Sequence, residues 1–207
     1  GLITLASDFR IEKDFNNVIY GKDIDLYCNR IKCYNPLTNE TLKKMADDIP
    51  KVIEDILPDQ KLDCVAYGCT SGTVAAGYDV IEKNIKLSKP EAKVTTPITS
   101  AIKALKAFNI NKISVFTPYT KSINDSVLNY FKKENITVNE LTYFDIESDL
   151  DIGKVDKNYL FKVLSKIDLE DSDALFVSCT ALPVLSIIDK LEKKINKIVL
   201  SSNQTLI

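Results

Sequence analysis

The chain has 207 residues, of which 45% are hydrophobic and 27% are charged, and its net charge is −2. This length suffices for one large domain or two small lobes. Interspersed acidic and basic residues do not indicate a nucleic-acid or membrane surface. No apolar run reaches the ~20 residues of a membrane span, and the first residues do not resemble a signal peptide. Five cysteines, an odd number, fit a reducing cytoplasm better than a disulfide-linked secreted domain.

The sequence contains no histidine. This excludes Ser-His-Asp and Cys-His catalysis, most zinc sites and any imidazole proton shuttle. Proton chemistry must therefore use Cys, Asp, Glu, Tyr or Lys.

In the first half of the chain, strands are predicted at 1–6, 24–32, 62–67 and 93–95 from short apolar runs bounded by turn residues. Helices are predicted at 11–19, 40–57 and 72–84. Pro50 should kink or split the second of these helices.

In the second half, helices are predicted at 98–108, 122–133, 158–167 and 182–193, and strands at 113–116, 137–144, 174–178 and 197–200. The acidic run 145–153 is predicted to be a long loop. Residues 201–204 could cap a helix, but we expect the chain to end before one forms.

Alternating strands and helices predict an α/β fold with mostly parallel sheets. We expect two similar lobes, residues 1–95 and residues 96–200, with 201–207 joining the first lobe.

A repeated Cys-Thr pair gives the best indication of function. Cys69-Thr70 and Cys179-Thr180 each follow a predicted buried strand and precede a predicted helix. A helix N-terminus offers free N–H groups and a positive dipole end, which favour a thiolate and a bound carboxylate. We therefore predict two reactive thiols with lowered pKa values, one from each lobe, facing one pocket.

The motifs resemble those of the aspartate/glutamate racemase superfamily, within it the maleate cis-trans isomerase branch, and most closely the ectoine-utilisation protein EutA. The matching stretches are 5–8, 45–48, 66–73, 95–99, 117–119, 178–182 and 201–204. The resemblance implies two lobes around one active site, no metal or organic cofactor, a small carboxylate substrate and a possible homodimer.

The resemblance also implies roles for individual residues. Cys69 and Cys179 correspond to the two catalytic thiols of the first and second lobe. In racemases of this kind one thiol removes the α-proton and the other reprotonates the opposite face. In maleate isomerases the first thiol instead adds to the double bond, and the carbon–carbon bond rotates before elimination. Tyr119 corresponds to a tyrosine that donates its hydroxyl to substrate. The remaining predicted substrate-binding residues are Asp8, Thr70, Ser71, Thr180, Ala181 and Asp149.

Two of these positions depart from the maleate isomerase pattern. Asp8 and Asp149 stand where maleate isomerases carry substrate-binding asparagines. A carboxylate lacks the amide donor and repels an anion. We therefore predict a substrate that carries an ammonium or amidine group beside its carboxylate.

Each functional interpretation has an alternative. Buried cysteines are common without chemistry, the hydroxyls of Thr70, Ser71 and Thr180 could only cap helices, and Tyr119 could only cover the sheet edge. Asp8 could instead orient or tune Cys69, or it could only cap the following helix.

The whole chain also has alternatives. It could be a non-catalytic carboxylate-binding protein, or a redox sensor with a Cys69–Cys179 disulfide. Two Cys-x4-Cys pairs, Cys28 with Cys33 and Cys64 with Cys69, suggest zinc, but their spacing is atypical.

Overall fold

The computed structural model describes residues 1–207 as an α/β protein built on two four-stranded parallel sheets. The first sheet has the strand order β2-β1-β3-β4 and the second has the order β6-β5-β7-β8. The second order is the first with four added to every strand number, so the sheets are topological copies. The predicted fold class is confirmed.

The first sheet and the helices around it come from the first half of the chain. Its elements are β1 (Leu2–Leu5), α1 (Ile11–Ile19), β2 (Cys28–Ile31), α2 (Asn39–Met45), a 3-10 turn (Ala46–Asp48), α3 (Ile49–Glu54), β3 (Cys64–Gly68), α4 (Thr70–Ala76), α5 (Tyr78–Lys86) and β4 (Lys93–Thr95).

The second sheet follows after one connecting helix. Its elements are α6 (Pro97–Ala107), β5 (Lys112–Thr117), α7 (Lys121–Lys133), β6 (Thr137–Tyr143), α8 (Asp149–Gly153), α9 (Lys157–Leu164), β7 (Ala174–Val177), a 3-10 turn (Leu185–Ile187), α10 (Ile188–Ile195), β8 (Ile198–Ser201) and α11 (Ser202–Leu206).

Two long predicted helices are divided, and the division at Pro50 confirms the prediction that Pro50 kinks or splits the helix. Pro50 lies in the first turn of α3, where its missing N–H is tolerated, and the chain ahead of it forms the 3-10 turn. Gly77 adopts φ +88 between α4 and α5, which the sequence prediction of one helix over 72–84 missed.

Three further predictions are corrected. The acidic segment contains the short helix α8, because the Ser148 hydroxyl accepts from the N–H of Asp151 and caps it. The predicted helix over 182–193 becomes a regular α-helix only at Ile188. The final residues do form a helix, α11, because Ser201 and Gln204 make a reciprocal capping box.

The helix α11 packs against α6 and also contacts α1 of the first half. Leu206 joins a small apolar cluster with Leu2, Ile11, Phe15 and Ala66. The C-terminal residues thus lie against the first half of the chain. The division into lobes at residue 95 stays a prediction.

The carboxyl ends of the strands in both sheets lead into the segments that carry the predicted site residues. In parallel α/β sheets this is the edge at which ligands bind. No helix combines the length and the apolar character that crossing a membrane requires.

Candidate active site

Cys69 lies between β3 and the first turn of α4. Its backbone is extended, with φ −141 and ψ 112, and its sulfur caps the helix by accepting the N–H of Gly72 at 3.2 Å. The Ser71 hydroxyl is 3.8 Å from the same sulfur. The predicted strand–Cys–helix geometry is present in this half of the molecule.

Cys179 follows β7, the counterpart of β3, but its turn is different. Its φ is +95, a left-handed backbone conformation that is uncommon for a residue with a side chain. No helix begins directly after it, so the prediction of a second thiol at a helix N-terminus is wrong. The N–H of Ala181 contacts the sulfur, and the Ser202 hydroxyl accepts the N–H of Cys179 at 3.0 Å.

The two thiols are buried, free and close enough to affect each other's ionisation. The pKa of Cys69 is raised to about 12, mainly by burial. The N–H of Gly72 opposes this increase, and the charge of Asp149 contributes to it. Burial, followed by the charge of Asp149, raises the pKa of Cys179 well above its usual range. The expectation of lowered thiol pKa values is therefore wrong, because desolvation raises both values and at Cys69 outweighs the helix N-terminus.

Asp8 is buried between the two sheets and is fully engaged. One carboxylate oxygen accepts the N–H groups of Arg10 and Ile11 at 2.7 and 3.1 Å, at the start of α1. The other oxygen accepts the Thr180 hydroxyl at 2.9 Å. Burial raises the pKa of Asp8, and these hydrogen bonds oppose that effect. Asp8 thus caps a helix and joins the two halves of the site.

Asp149 is also buried, but it has only one hydrogen-bond partner. It begins α8, and its carboxylate accepts the Ser7 hydroxyl at 2.5 Å. Burial raises the pKa of Asp149 from 3.8 to about 6, with a smaller contribution from Asp8. No Lys or Arg forms an ion pair with it. This carboxylate is an uncompensated acidic group beside both sulfurs.

The predicted anion-binding hydroxyls are mostly used inside the protein. Thr70 shares a 2.9 Å hydrogen bond with Ser202, and the Thr180 hydroxyl donates to Asp8 and to the carbonyl of Gly68. Ser71 contacts only the Cys69 sulfur. Ser71 is therefore the predicted hydroxyl that stays available to a ligand.

Tyr119 follows β5 and is buried beside Cys179. Its hydroxyl accepts a hydrogen bond from Ser178 at 3.2 Å. Burial, and next the neighbouring Cys179, raise the pKa of Tyr119 well above its usual range, so the phenol keeps its proton. It can donate that proton to a ligand.

Ser7 and Ser202 were missed as site residues. Ser7 holds Asp149, and Ser202 connects the backbone of Cys179 to Thr70. Both belong to stretches that carried the family resemblance, which is the signal that could have identified them. No group of three or more Cys, Asp or Glu side chains is arranged to hold a metal ion.

The sequence matches one protein-family model and is similar to several known proteins. The family model described as arylmalonate decarboxylase matches residues 62–206. A maleate isomerase of Geobacillus stearothermophilus is 26% identical over 174 residues, covering 80% of this chain and 69% of that protein. One of Alcaligenes faecalis is 27% identical over 154 residues, covering 70% and 61%. The chain thus spans roughly two thirds of these relatives, between 61% and 69%.

Solved structures share the whole fold. The maleate isomerase Iso from Pseudomonas putida S16 has a TM-score of 0.90 at 20% identity, covering 100% of this chain and 88% of that one. A cysteine-to-serine mutant of Nocardia farcinica maleate cis-trans isomerase, with a covalently bound succinylcysteine intermediate, has a TM-score of 0.91 at 18% identity, covering 99% and 87%.

The two copied sheets and the solved structures define the class of fold: a two-lobed α/β protein. Within that class the family match covers well over half of the sequence. The chain belongs to the arylmalonate decarboxylase family, which here includes the maleate isomerases.

Proposed function

We propose that the protein is a cofactor-independent, two-thiol isomerase or racemase of a small carboxylate that carries a cationic nitrogen. The observation that carries this proposal is the presence of two buried thiols, Cys69 and Cys179, after equivalent strands of the two sheets. A flat substrate between them would have one sulfur on each face.

Two reactions fit such a pair. In a racemisation, one thiolate removes the proton from the α-carbon, and the thiol on the opposite face donates a proton to the same carbon. In a cis–trans isomerisation, the Cys69 sulfur adds to the double bond, Cys179 protonates the neighbouring carbon, and the single bond rotates. Loss of that proton and of the sulfur restores the double bond. Neither reaction has a net requirement for an oxidant or a reductant.

The preference for a nitrogen-bearing substrate is supported by Asp149. Its carboxylate is buried beside both sulfurs, and no basic side chain of the chain pairs with it. A buried carboxylate is strongly stabilised by an opposite charge. An ammonium or amidine of the substrate would supply that charge, whereas a plain dicarboxylate would add repulsion.

A cationic substrate would also promote thiolate formation. The pKa of Cys69 is raised by burial and by the negative charge of Asp149. A cation bound next to Asp149 would offset the charge and stabilise a nearby thiolate. The substrate would thereby activate the nucleophile or base that acts on it.

Asp8 differs from Asp149 in having no free carboxylate oxygen. Asp8 is engaged by α1 and Thr180, so we assign it a positioning role between the lobes and place recognition of the nitrogen at Asp149. Ser71 and Tyr119 are the proposed donors to the substrate carboxylate. A relation to ectoine utilisation, a cytoplasmic location and a homodimer are further parts of this proposal, resting on the motif resemblance and on composition.

Arylmalonate decarboxylation is the other activity in this family. Arylmalonate decarboxylases use a single cysteine in the second lobe, so the presence of Cys69 favours isomerisation. Arylmalonate is therefore a useful negative probe.

The test is proton NMR in D2O with maleate, aspartate, a hydantoin, an acyl-diaminobutyrate and an arylmalonate. We expect deuterium to enter the α-carbon of a nitrogen-bearing compound, and Cys69→Ser or Cys179→Ser to abolish this. The exposed Cys28 provides the matched control, Cys28→Ser, which should retain activity.

Other outcomes contradict the proposal in distinct ways. Turnover of maleate to fumarate, without exchange on any nitrogen-bearing compound, would overturn the role given to Asp149. No turnover, with binding retained when both cysteines are replaced by serine, would identify a carboxylate-binding protein instead.

A further inference from the structure

The buried hydroxyl of Tyr67 takes no part in the hydrogen bonds of the active site. Tyr67 lies in β3, two residues before Cys69, and its side chain is 1% exposed. Its oxygen is one of four buried side-chain nitrogen or oxygen atoms without a hydrogen-bond partner. Leaving such a group unpaired is destabilising, and a phenylalanine would fill the same space without that penalty.

The Tyr67 hydroxyl and the Cys69 sulfur both lie close to Gly72. A Cβ added to Gly72 would lie 2.9 Å from the Tyr67 hydroxyl and 2.9 Å from the Cys69 sulfur. The two atoms are therefore within about 6 Å of each other, and the absence of a side chain at Gly72 keeps the space between them open. The hydroxyl does not bond the sulfur at rest, so a hydrogen bond between them requires a small shift of the Tyr67 side chain into this open space while the sulfur stays on the N–H of Gly72.

The chemistry of sulfur explains why the hydroxyl is unpaired at rest. A neutral thiol is a weak acceptor, whereas a thiolate accepts strong, charge-assisted hydrogen bonds. The Gly72 N–H already points at this sulfur. Burial raises the pKa of Tyr67 well above its usual range, so the phenol remains a donor at the pH at which a thiolate forms. The other titratable groups near Cys69 are Asp149, Cys33, Cys179 and Tyr119.

We propose that Tyr67 is a positioning residue for Cys69: its hydroxyl donates a hydrogen bond to the sulfur when the sulfur becomes a thiolate. It adds to the N–H of Gly72 and the Ser71 hydroxyl as a further donor to the anion in this buried site. The proposed function uses this thiolate, but the proposal about Tyr67 concerns the free protein and can be tested without substrate.

The test measures alkylation of Cys69 by iodoacetamide as a function of pH, with the modified peptide quantified by mass spectrometry. Tyr67→Phe should slow Cys69 alkylation about tenfold at a fixed pH and move its pH profile upward, because the thiolate loses one charge-assisted donor. Thermal stability should stay equal or rise. A merely structural role would lower stability and leave the pH profile in place.

Two controls keep the result specific. Tyr130→Phe, which changes a partly buried tyrosine in α7, should leave the profile of Cys69 unchanged. Alkylation of the exposed Cys28 should be the same in every variant.

A second variant replaces Tyr67 with a ring-fluorinated tyrosine, which keeps the shape and makes the phenol a stronger donor. It should accelerate Cys69 alkylation at low pH. Wild-type profiles for both folded variants would overturn the proposal. Because no substrate is involved, that result would leave the proposed function standing.

Discussion

The two cysteine turns occupy equivalent places in the two sheets, yet they are held by different means. Cys69 has an extended backbone, and its sulfur caps the helix that follows it at once. Cys179 has a left-handed backbone, and its N–H is bound by Ser202, which is 23 residues away.

The difference shows that a thiol can be positioned locally or at a distance. The first turn depends on its own helix and on the small residue Gly72. The second turn depends on α11, which forms at the end of the chain. The second sulfur therefore depends on residues outside its own motif.

The largest effect is expected from a substitution of Asp149, the acidic residue that raises the pKa of both thiols. The pKa of Asp149 is raised from 3.8 to about 6, so folding favours its protonated form. Its contribution to stability is complete below pH 3.8 and is lost as the pH rises through about 6. Asp149→Asn should therefore gain about 3 kcal/mol in unfolding free energy, relative to the wild type, between pH 3 and pH 8.

Urea unfolding of both proteins at the two pH values measures this difference. Asp151→Asn provides the control from the same helix. Lys154 lowers the pKa of the exposed Asp151, so any change in that variant should have the opposite sign. A pH-independent difference for Asp149→Asn would contradict the burial argument.

The second largest effect is expected from a substitution at Gly72, a position at which the turns of Cys69 and Cys179 differ. Gly72→Ala places a Cβ 2.9 Å from the Cys69 sulfur and should displace the thiol, which lowers turnover on the order of 100-fold. The equivalent position after Cys179 is the buried Leu182, so the second turn accepts a large side chain there.

Turnover of the substrate found by NMR, together with thermal unfolding, checks the Gly72 prediction. Gly21→Ala is the matched control, because its Cβ would meet no atom within 4 Å, although its φ of +74 strains any side chain. That variant should lose stability without losing turnover. Equal turnover in both variants would show that the open space at Gly72 is not needed.

The smallest effect is expected from a substitution of Ser202, which accepts the N–H of Cys179 from a distant part of the sequence. Ser202→Ala removes the acceptor of the Cys179 N–H and the partner of Thr70, which should destabilise the protein by about 2 kcal/mol. Ser165→Ala, at the end of α9, removes a hydroxyl that only bonds back within its own helix, and should change stability by less than about 0.5 kcal/mol.

Chemical denaturation gives both values, and alkylation of Cys179 reports on its turn. Ser202→Ala should change the alkylation rate of Cys179 more than that of Cys69. Equal changes at the two thiols would mean that Ser202 acts on the whole site rather than on the second turn.

Much of the fold could be predicted from the sequence, because buried strands and amphipathic helices leave strong periodic patterns. The helix Ile11–Ile19 and the strand Lys93–Thr95 have the predicted bounds. Pro50 was predicted to divide a helix because its ring is incompatible with a helix interior.

What could not be predicted depends on contacts between distant residues. The sequence around Cys179 resembles that around Cys69, but the left-handed turn is held by Ser202. The Thr180 hydroxyl was predicted to bind a ligand, and its use by Asp8 requires knowing that two segments 172 residues apart meet. The raised pKa of each thiol likewise follows from burial, which no local pattern records.

The repeated strand order gives each position around the site a counterpart in the other half. The segment after β2 carries Cys33, whereas the segment after its counterpart β6 carries Asp149. In evolutionary terms, the two copies of one structural unit can then diverge separately. With the role proposed for Asp149, a change in the segment after β6 would alter which substrate is recognised, while the opposite copy preserves the turn that presents Cys69.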